Sequence, residues 1–379
     1  MKLSKSNKLI DFFIALSCSL VIFIPGLKFF YFSSVVNLSV LVLLVASIIV
    51  SCAIYRVRLN KEQGSYILYI SLVFLILFLS GLFPDHSVTF TSIIRYISVW
   101  LMLICIVILS PKIKIDYICN IVIAWSMLLA ICYRINLVEA SGEGELSYLI
   151  LAMQLGAGFA VSVSKTINLN KTSLIYGIIS LFIFYCILTL AGRAALIGCI
   201  FVVMSVSLSM INYQWKRKPL LIVFIFTSVS ILVYFAVDYL LENVLNEYLL
   251  YKLTQSSSSS NSRLSYYIQS LDIIADHPFG LGLHKYNTVL GFYPHNIFLE
   301  MGMNAGIISM LILMFPFVIF LKKLLSVCID IKKSVCLPVA NLTLFLTFCW
   351  MFSNNLASSY ALFTAMIVFF QKGSEQKSR

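Results

Sequence analysis

The sequence predicts an all-α, polytopic integral membrane protein with about 12 transmembrane helices and one long loop outside the bilayer that contains amphipathic helices. Three observations predict it. Of the 379 residues, 61% are hydrophobic and 11% charged, at a mean hydropathy of +0.99; a soluble domain is nearer half apolar and a quarter charged. Apolar runs of spanning length recur from one end to the other, and basic residues collect in alternate connections between them. Lipid offers the backbone no hydrogen bonds, so each run must satisfy its own as a helix.

A spanning helix needs roughly 20 apolar residues. The qualifying runs are 9–25, 34–55, 66–83, 92–110, 117–133, 146–164, 173–191, 194–212, 219–237, 297–321, 336–352 and 355–371. The chain therefore divides into a membrane part at 1–237 (spans one to nine), an extramembrane loop at 238–296, and a second membrane part at 297–379 with spans ten to twelve and a polar tail. Lys2, Lys5 and Lys8 precede the first run without a small-residue cleavage pattern, so that run reads as an uncleaved first helix. Ser353 and Asn354 alone separate the last two runs, which predicts a tight hairpin. Ten cysteines lie in apolar runs or short loops with no metal-ligand spacing, and they read as small packing residues.

Charge sets the orientation. With the N-terminus inside, alternate connections carry Lys2/Lys5/Lys8, Arg56/Arg58/Lys61, Lys112/Lys114, Lys165/Lys171, Lys216/Arg217/Lys218, Lys322/Lys323/Lys332/Lys333 and Lys372/Lys377/Arg379, which is 20 of the 27 basic residues. By the positive-inside rule both termini are cytoplasmic, and the net charge of +12 needs no nucleic acid to explain it. Lys28, Arg95, Arg134, Arg193, Lys252, Arg263 and Lys285 remain for the outer side, with all four histidines and most of the acids. Groups able to do acid–base or anion chemistry thus concentrate there.

In the long loop, Leu240, Leu241, Val244, Leu245, Tyr248 and Leu249 share one helical face of 239–253, which predicts an amphipathic helix on the membrane surface. The run Ser256–Ser260 reads as a flexible link. Asn261 or Ser262 can cap a second helix whose apolar face is Leu264, Tyr267, Ile268, Leu271 and Ile274, with Arg263 in its first turn. Pro278 limits that helix and Gly280 and Gly282 make a turn. Pro294 then leads His295 into the tenth span, with Glu300 about a turn and a half deeper.

Arg193, between two strongly apolar runs, is the sharpest single feature. Arginine at membrane depth is costly and marks function, although an interfacial arginine also snorkels to headgroups. A guanidinium grips phosphate oxygens with paired hydrogen bonds. Arg263 and Arg95 are weaker candidates for the same anion. His295 titrates near neutrality and can take a proton from a hydroxyl; the alternative is a helix-start histidine that only hydrogen-bonds. His277 and His284 read as turn residues and His86 as part of a short loop. No metal or cofactor constellation stands out.

Three ordered motifs carry a resemblance. They are Thr189-Leu190-Ala191-Gly192-Arg193-Ala194-Ala195-Leu196, then Ser262-Arg263 opening a helix that ends in His277-Pro278-Phe279-Gly280-Leu281-Gly282, then His295-Asn296 followed by Glu300, Gly302 and Gly306. Together they resemble the O-antigen ligase and O-antigen polymerase superfamily of bacterial envelope enzymes over about 180–320, while the first 180 residues match only in hydropathy. The resemblance implies glycosyl transfer from undecaprenyl diphosphate at the periplasmic face of the inner membrane, without cofactor or metal. It implies that Arg193 and Arg263 hold the diphosphate and that His295 activates the acceptor hydroxyl; Asn296 and Glu300 in the third motif, and Arg95 near the outer end of the fourth span, are the further candidates for binding substrate. Its implied partners are a lipid-linked oligosaccharide, the bilayer and a chain-length regulator.

The short stretch from Gly282 to His295 and the wording Tyr293-Pro294-His295-Asn296 look more like polymerases, which use a second lipid-linked repeat unit as acceptor, than like ligases, which use lipid A–core. A flippase or transporter also suits twelve spans, but transporters place polar sites near the midplane between repeated halves, and these halves are not alike.

Overall fold

The computed structural model describes residues 3–27, 33–55, 59–81, 90–137, 148–168, 171–190, 193–214, 256–291, 293–352 and 354–375. These residues form thirteen α-helices and no strand. In chain order they are α1 Leu3–Leu27, α2 Ser33–Tyr55, α3 Lys61–Ser80, α4 Phe90–Leu109, α5 Ile115–Arg134, α6 Tyr148–Lys165, α7 Lys171–Leu188, α8 Arg193–Gln214, α9 Ser256–Asp276, α10 Tyr286–Leu290, α11 Ile297–Ile329, α12 Leu337–Phe352 and α13 Tyr360–Glu375.

Nine helices among the described residues are long and apolar enough to cross a membrane, and the shorter apolar helices Thr172–Leu188 and Tyr360–Lys372 join them. The protein is thus a multi-pass membrane protein. These eleven correspond to expected runs one to eight and ten to twelve. The ninth run at 219–237, the amphipathic segment at 239–253 and His86 lie outside the described residues.

Two compact units divide the chain. The first comprises Met1–Ile118, Ser258–Leu321 and Cys349–Arg379; the second comprises Cys119–Ser257 and Lys322–Phe348. In the first unit, α4 has chemically different ends. Near its C-terminal end Lys114 pairs with Asp11 at 2.6 Å, the Tyr55 hydroxyl donates to Asp11 at 2.8 Å, and Lys372 Nζ donates to the Pro111 carbonyl. There Asn60 and Gln63 cap α3 reciprocally, and the Gln63 side chain reaches the Val107 carbonyl. The bond to Asp11 pushes the Lys114 ammonium above its usual pKa. The 20 residues of α4 span about 30 Å at 1.5 Å per residue, and Arg95 and Tyr96 lie toward the opposite, N-terminal end. Lys112, Lys114 and Lys372 thus lie at one end of this unit.

Small residues set the packing of the second unit. A Cβ on Gly156 or on Gly198 would fall 2.0 or 2.8 Å from the Phe345 ring, so α6 and α8 close on α12 through that ring. The Asn341 amide donates to Ser164 at 2.8 Å, a polar tie of the kind that holds helices together where hydrophobic attraction is weak. Eight of the ten cysteines are buried and none is in a disulfide.

One local expectation is corrected. Ser256–Ser260 belongs to α9 and is not a link, and Asn261 and Ser262 lie inside the helix and do not cap it. Once Arg263–Asp276 has nucleated, each further residue adds one hydrogen bond for two dihedrals fixed, and serine's modest helix propensity does not stop that growth.

Candidate functional site

The turn after α9 and the tenth span meet through glycine. Helix α11 is broken at Ala305 (φ −135°, ψ 15°) and Gly306 (φ 85°, ψ 174°), which frees backbone groups that lipid cannot satisfy. The segment after α9 supplies them. Leu281 N–H donates to the Met303 carbonyl at 2.7 Å, Gly282 N–H to the Asn304 carbonyl at 3.0 Å, and Ile307 N–H to the Pro278 carbonyl at 3.0 Å. Approach this close excludes a side chain: a Cβ at Gly306 would lie 2.3 Å from Pro278 O, and one at Gly280 would lie 2.6 Å from Asn304 O.

Glu300 stands a little over one turn before that break, fully buried. Its Oε1 accepts from the Tyr286 hydroxyl at 2.9 Å and its Oε2 from the Leu356 backbone N–H at 2.6 Å. The buried Tyr96 hydroxyl lies beside the same carboxylate, outside ordinary hydrogen-bond geometry. One side chain thus ties α10, α11 and the turn before α13 together. Burial, followed by the neighbouring Glu300 charge, pushes the Tyr286 phenol well above its usual pKa, so it remains a donor.

His284 completes the group. Its backbone is left-handed (φ 61°), its N–H donates to Asn304 Oδ1 at 2.9 Å, and its Nδ1 lies 3.2 Å from the Tyr286 hydroxyl. The Tyr96 ring is 5.5 Å away. Burial first, then the Arg95 guanidinium, lowers the His284 pKa, so the imidazole is neutral at pH 7. The turn role expected for His284 holds for its backbone; its ring and Tyr286 enter the site unannounced. A period-based reading could have found Tyr286 only as an apolar residue of a short helix.

His295 also has a left-handed backbone (φ 56°). It is half-buried with Nδ1 inside, and its ring is 4.3 Å from that of Tyr293. Asn296 is the cap of α11: its Oδ1 accepts from Phe298 N–H at 2.9 Å and Leu299 N–H at 3.2 Å. Only its amide nitrogen remains to meet a ligand. Arg95 is exposed on α4 and makes no ion pair among the described residues. No group of three or more His, Cys, Asp or Glu able to hold a metal occurs among the described residues.

Arg193 opens α8 in the second unit. Just before it, Thr189 Oγ1 donates to the Tyr133 hydroxyl at 3.2 Å, and the Arg134 guanidinium sits 5.0 Å over the Tyr185 ring. The threonine of the first motif thus ties the end of α7 to α5. Arg263 lies in the early turns of α9. The side chains of both arginines fall outside the described part of the structure.

Fold and site together define a multi-pass helical membrane protein with a buried tyrosine–carboxylate network behind a histidine-bearing loop. Residues 178–314 match the family model described as O-antigen ligase. The match encloses all three motifs and supports the O-antigen ligase/polymerase superfamily and an O-antigen ligase/polymerase-type function, without separating the two activities. Members of that family are glycosyltransferase-like enzymes acting on polysaccharide. No curated protein matches the chain.

Proposed function

We propose that this chain polymerises O-antigen or a related surface polysaccharide at the periplasmic face of the bacterial inner membrane. Glycan passes from undecaprenyl diphosphate to a hydroxyl of another lipid-linked repeat unit. The observation that carries the reading is that the family match encloses Arg193, Arg263 and His295 in the superfamily's order.

In this reading Arg193 and Arg263 meet the charge of the diphosphate with paired N–H donors, and Arg95 adds positive potential. The leaving diphosphate then needs no acid. The difficulty lies at the acceptor, whose hydroxyl is a poor nucleophile. His295 takes that proton as the new C–O bond forms and the anomeric C–O bond to phosphate breaks, a contribution of about 10²–10⁴-fold. With one base and direct displacement, the anomeric centre inverts. Asn296 holds the helix start that aims His295. Glu300, with both oxygens engaged inside the protein, acts as a positioning residue.

Transfer to lipid A–core is the second reading, favoured by the ligase description of the matching family. Purified protein in nanodiscs, given synthetic lipid-linked repeat units with and without lipid A–core, distinguishes them. Polymer growth on repeat units alone supports polymerase; product only with lipid A–core replaces it with ligase. His295→Gln is expected to abolish turnover in either case, and near-normal turnover of that variant moves the base elsewhere.

A further inference from the structure

We propose that His284 is a second substrate-contacting imidazole, held in one tautomer so that its Nε2 accepts a hydrogen bond from a sugar hydroxyl. The inference rests on the glycosyl-transfer reading and assigns to His284 binding, leaving proton removal to His295.

One proton decides the tautomer. Tyr286 has a single hydroxyl hydrogen and two neighbours: Glu300 Oε1 at 2.9 Å and His284 Nδ1 at 3.2 Å. With Oε2 held by the Leu356 N–H at 2.6 Å, Glu300 in its ionised form accepts only, and it is the shorter contact, so in that form the proton points to Glu300. Tyr286 must then receive from His284, which requires the imidazole hydrogen to sit on Nδ1. In a neutral ring that leaves the lone pair on Nε2. The chain reads Nδ1–H to Tyr286 O, Tyr286 O–H to Glu300 Oε1, with Glu300 Oε2 fixed by Leu356 N–H at 2.6 Å. It is the logic of a carboxylate that fixes a histidine tautomer, with a tyrosine interposed.

The backbone supplies a separate observation. His284 is one of three non-glycine residues with positive φ among the described residues, and His295 is another. Histidine in that region costs free energy that surrounding contacts must offset, and such residues cluster at working sites. Asn304 Oδ1, fully buried, holds the His284 N–H at 2.9 Å. Backbone and ring are thus fixed independently. His284 is partly exposed, and Nε2 has no hydrogen-bond partner among the described residues.

A lone pair repels phosphate oxygen, so the ligand group is a donor. In a site fed with glycans that group is a hydroxyl, from either the acceptor sugar or the first sugar of the donor.

The test uses full-length protein in nanodiscs. Nitrogen-15 histidine NMR reads the tautomer without any turnover, with His284→Asn identifying the signal. Wild type is expected to show a neutral His284 protonated on Nδ1. Glu300→Gln reverses the chain, because the introduced amide donates to Tyr286, which then donates to Nδ1; the proton moves to Nε2. A wild-type Nε2–H tautomer, or no change in Glu300→Gln, overturns the proposal.

His284→Asn tests contact. Asparagine tolerates left-handed backbone and places an amide near the Nδ1 position, so it keeps the tie to Tyr286 while deleting the Nε2 acceptor. Loss of one neutral hydrogen bond predicts a roughly tenfold weaker affinity. Affinity for lipid-linked donor, measured without turnover in a His295→Ala background, reports the donor sugar; KM for the acceptor reports the other. A tenfold change in either arm supports the contact and names its source, and no change in both refutes it. Wild type that turns over no lipid-diphosphate substrate would instead refute the glycosyl-transfer reading, while the tautomer measurement would still stand.

Discussion

Glu300 Oε2 accepts the Leu356 backbone N–H at 2.6 Å across 56 residues of sequence, and its Oε1 accepts from Tyr286 at 2.9 Å. A residue that reads in sequence as part of a ligand-facing motif therefore spends both oxygens on the protein. Removing it leaves a buried backbone donor unsatisfied and deprives the Tyr286 hydroxyl of its shorter partner. Glu300→Ala is expected to destabilise the protein by about 3 kcal/mol, read as a lowered unfolding temperature in detergent. Glu300→Gln should cost much less, because Tyr286 can reverse. Equal losses in the two variants would mean that an amide cannot replace the carboxylate and that Tyr286 does not reverse.

Gly306 carries a sharper stability prediction. Its φ and ψ fall in a region open essentially to glycine alone, and a Cβ there would meet Pro278 O at 2.3 Å. Gly306→Ala should destabilise by about 3 kcal/mol or more and detach the 277–282 turn from α11. Gly177 in α7 has open space around it, so Gly177→Ala should be neutral or slightly stabilising. Expression and thermal unfolding of the pair measure the contrast.

Arg193 tests the anion grip. Lysine keeps the charge and loses the paired donors, so Arg193→Lys is expected to insert normally and lose most glycan assembly in a complementation assay. Full complementation would leave only a role for charge.

The depressed pKa of His284 has a definite sign. The ordinary value is 6.5, and burial, then Arg95, lowers it. The groups facing the ring are Arg95 and Tyr96 from α4 and Tyr286 from α10, with Glu300 beyond Tyr286. Below about pH 6.5 the unfolded chain binds a proton that the folded site resists. The contribution of His284 to stability is therefore complete above that pH and is lost as pH falls through the folded-state value. His284→Asn should flatten this part of the stability–pH profile, and Arg95→Gln should move the His284 titration back toward the ordinary value. A His284 titration unmoved by Arg95→Gln would remove the guanidinium as a cause.

Orientation is open to direct labelling. If residues 238–296 are periplasmic, a cysteine at Ser258 in a background lacking the ten native cysteines reacts with a membrane-impermeant reagent in intact cells. Labelling only after lysis would invert the topology.

Spans are legible in sequence because hydropathy is a local property. It acts residue by residue, whatever packs beside it. Arg193 and His295 stand out as candidates for a related reason: charge at membrane depth and an ordered motif need no partner to be noticed. Continuation of α9 through Ser256–Ser260 was not legible, since propagation from a formed helix outweighs the weak preference of serine. Nor was the meeting of the Gly280 turn with Gly306, where each glycine alone signals a turn and only the contact explains why neither can carry a Cβ. The network around Glu300 lies furthest from sequence. Tyr286, Glu300, Leu356 and Tyr96 come from four separate elements, and a hydrogen bond depends on position and direction that no single segment specifies. Which nitrogen of His284 holds the proton is decided by that network alone, so tertiary structure determines there what the ring can bind.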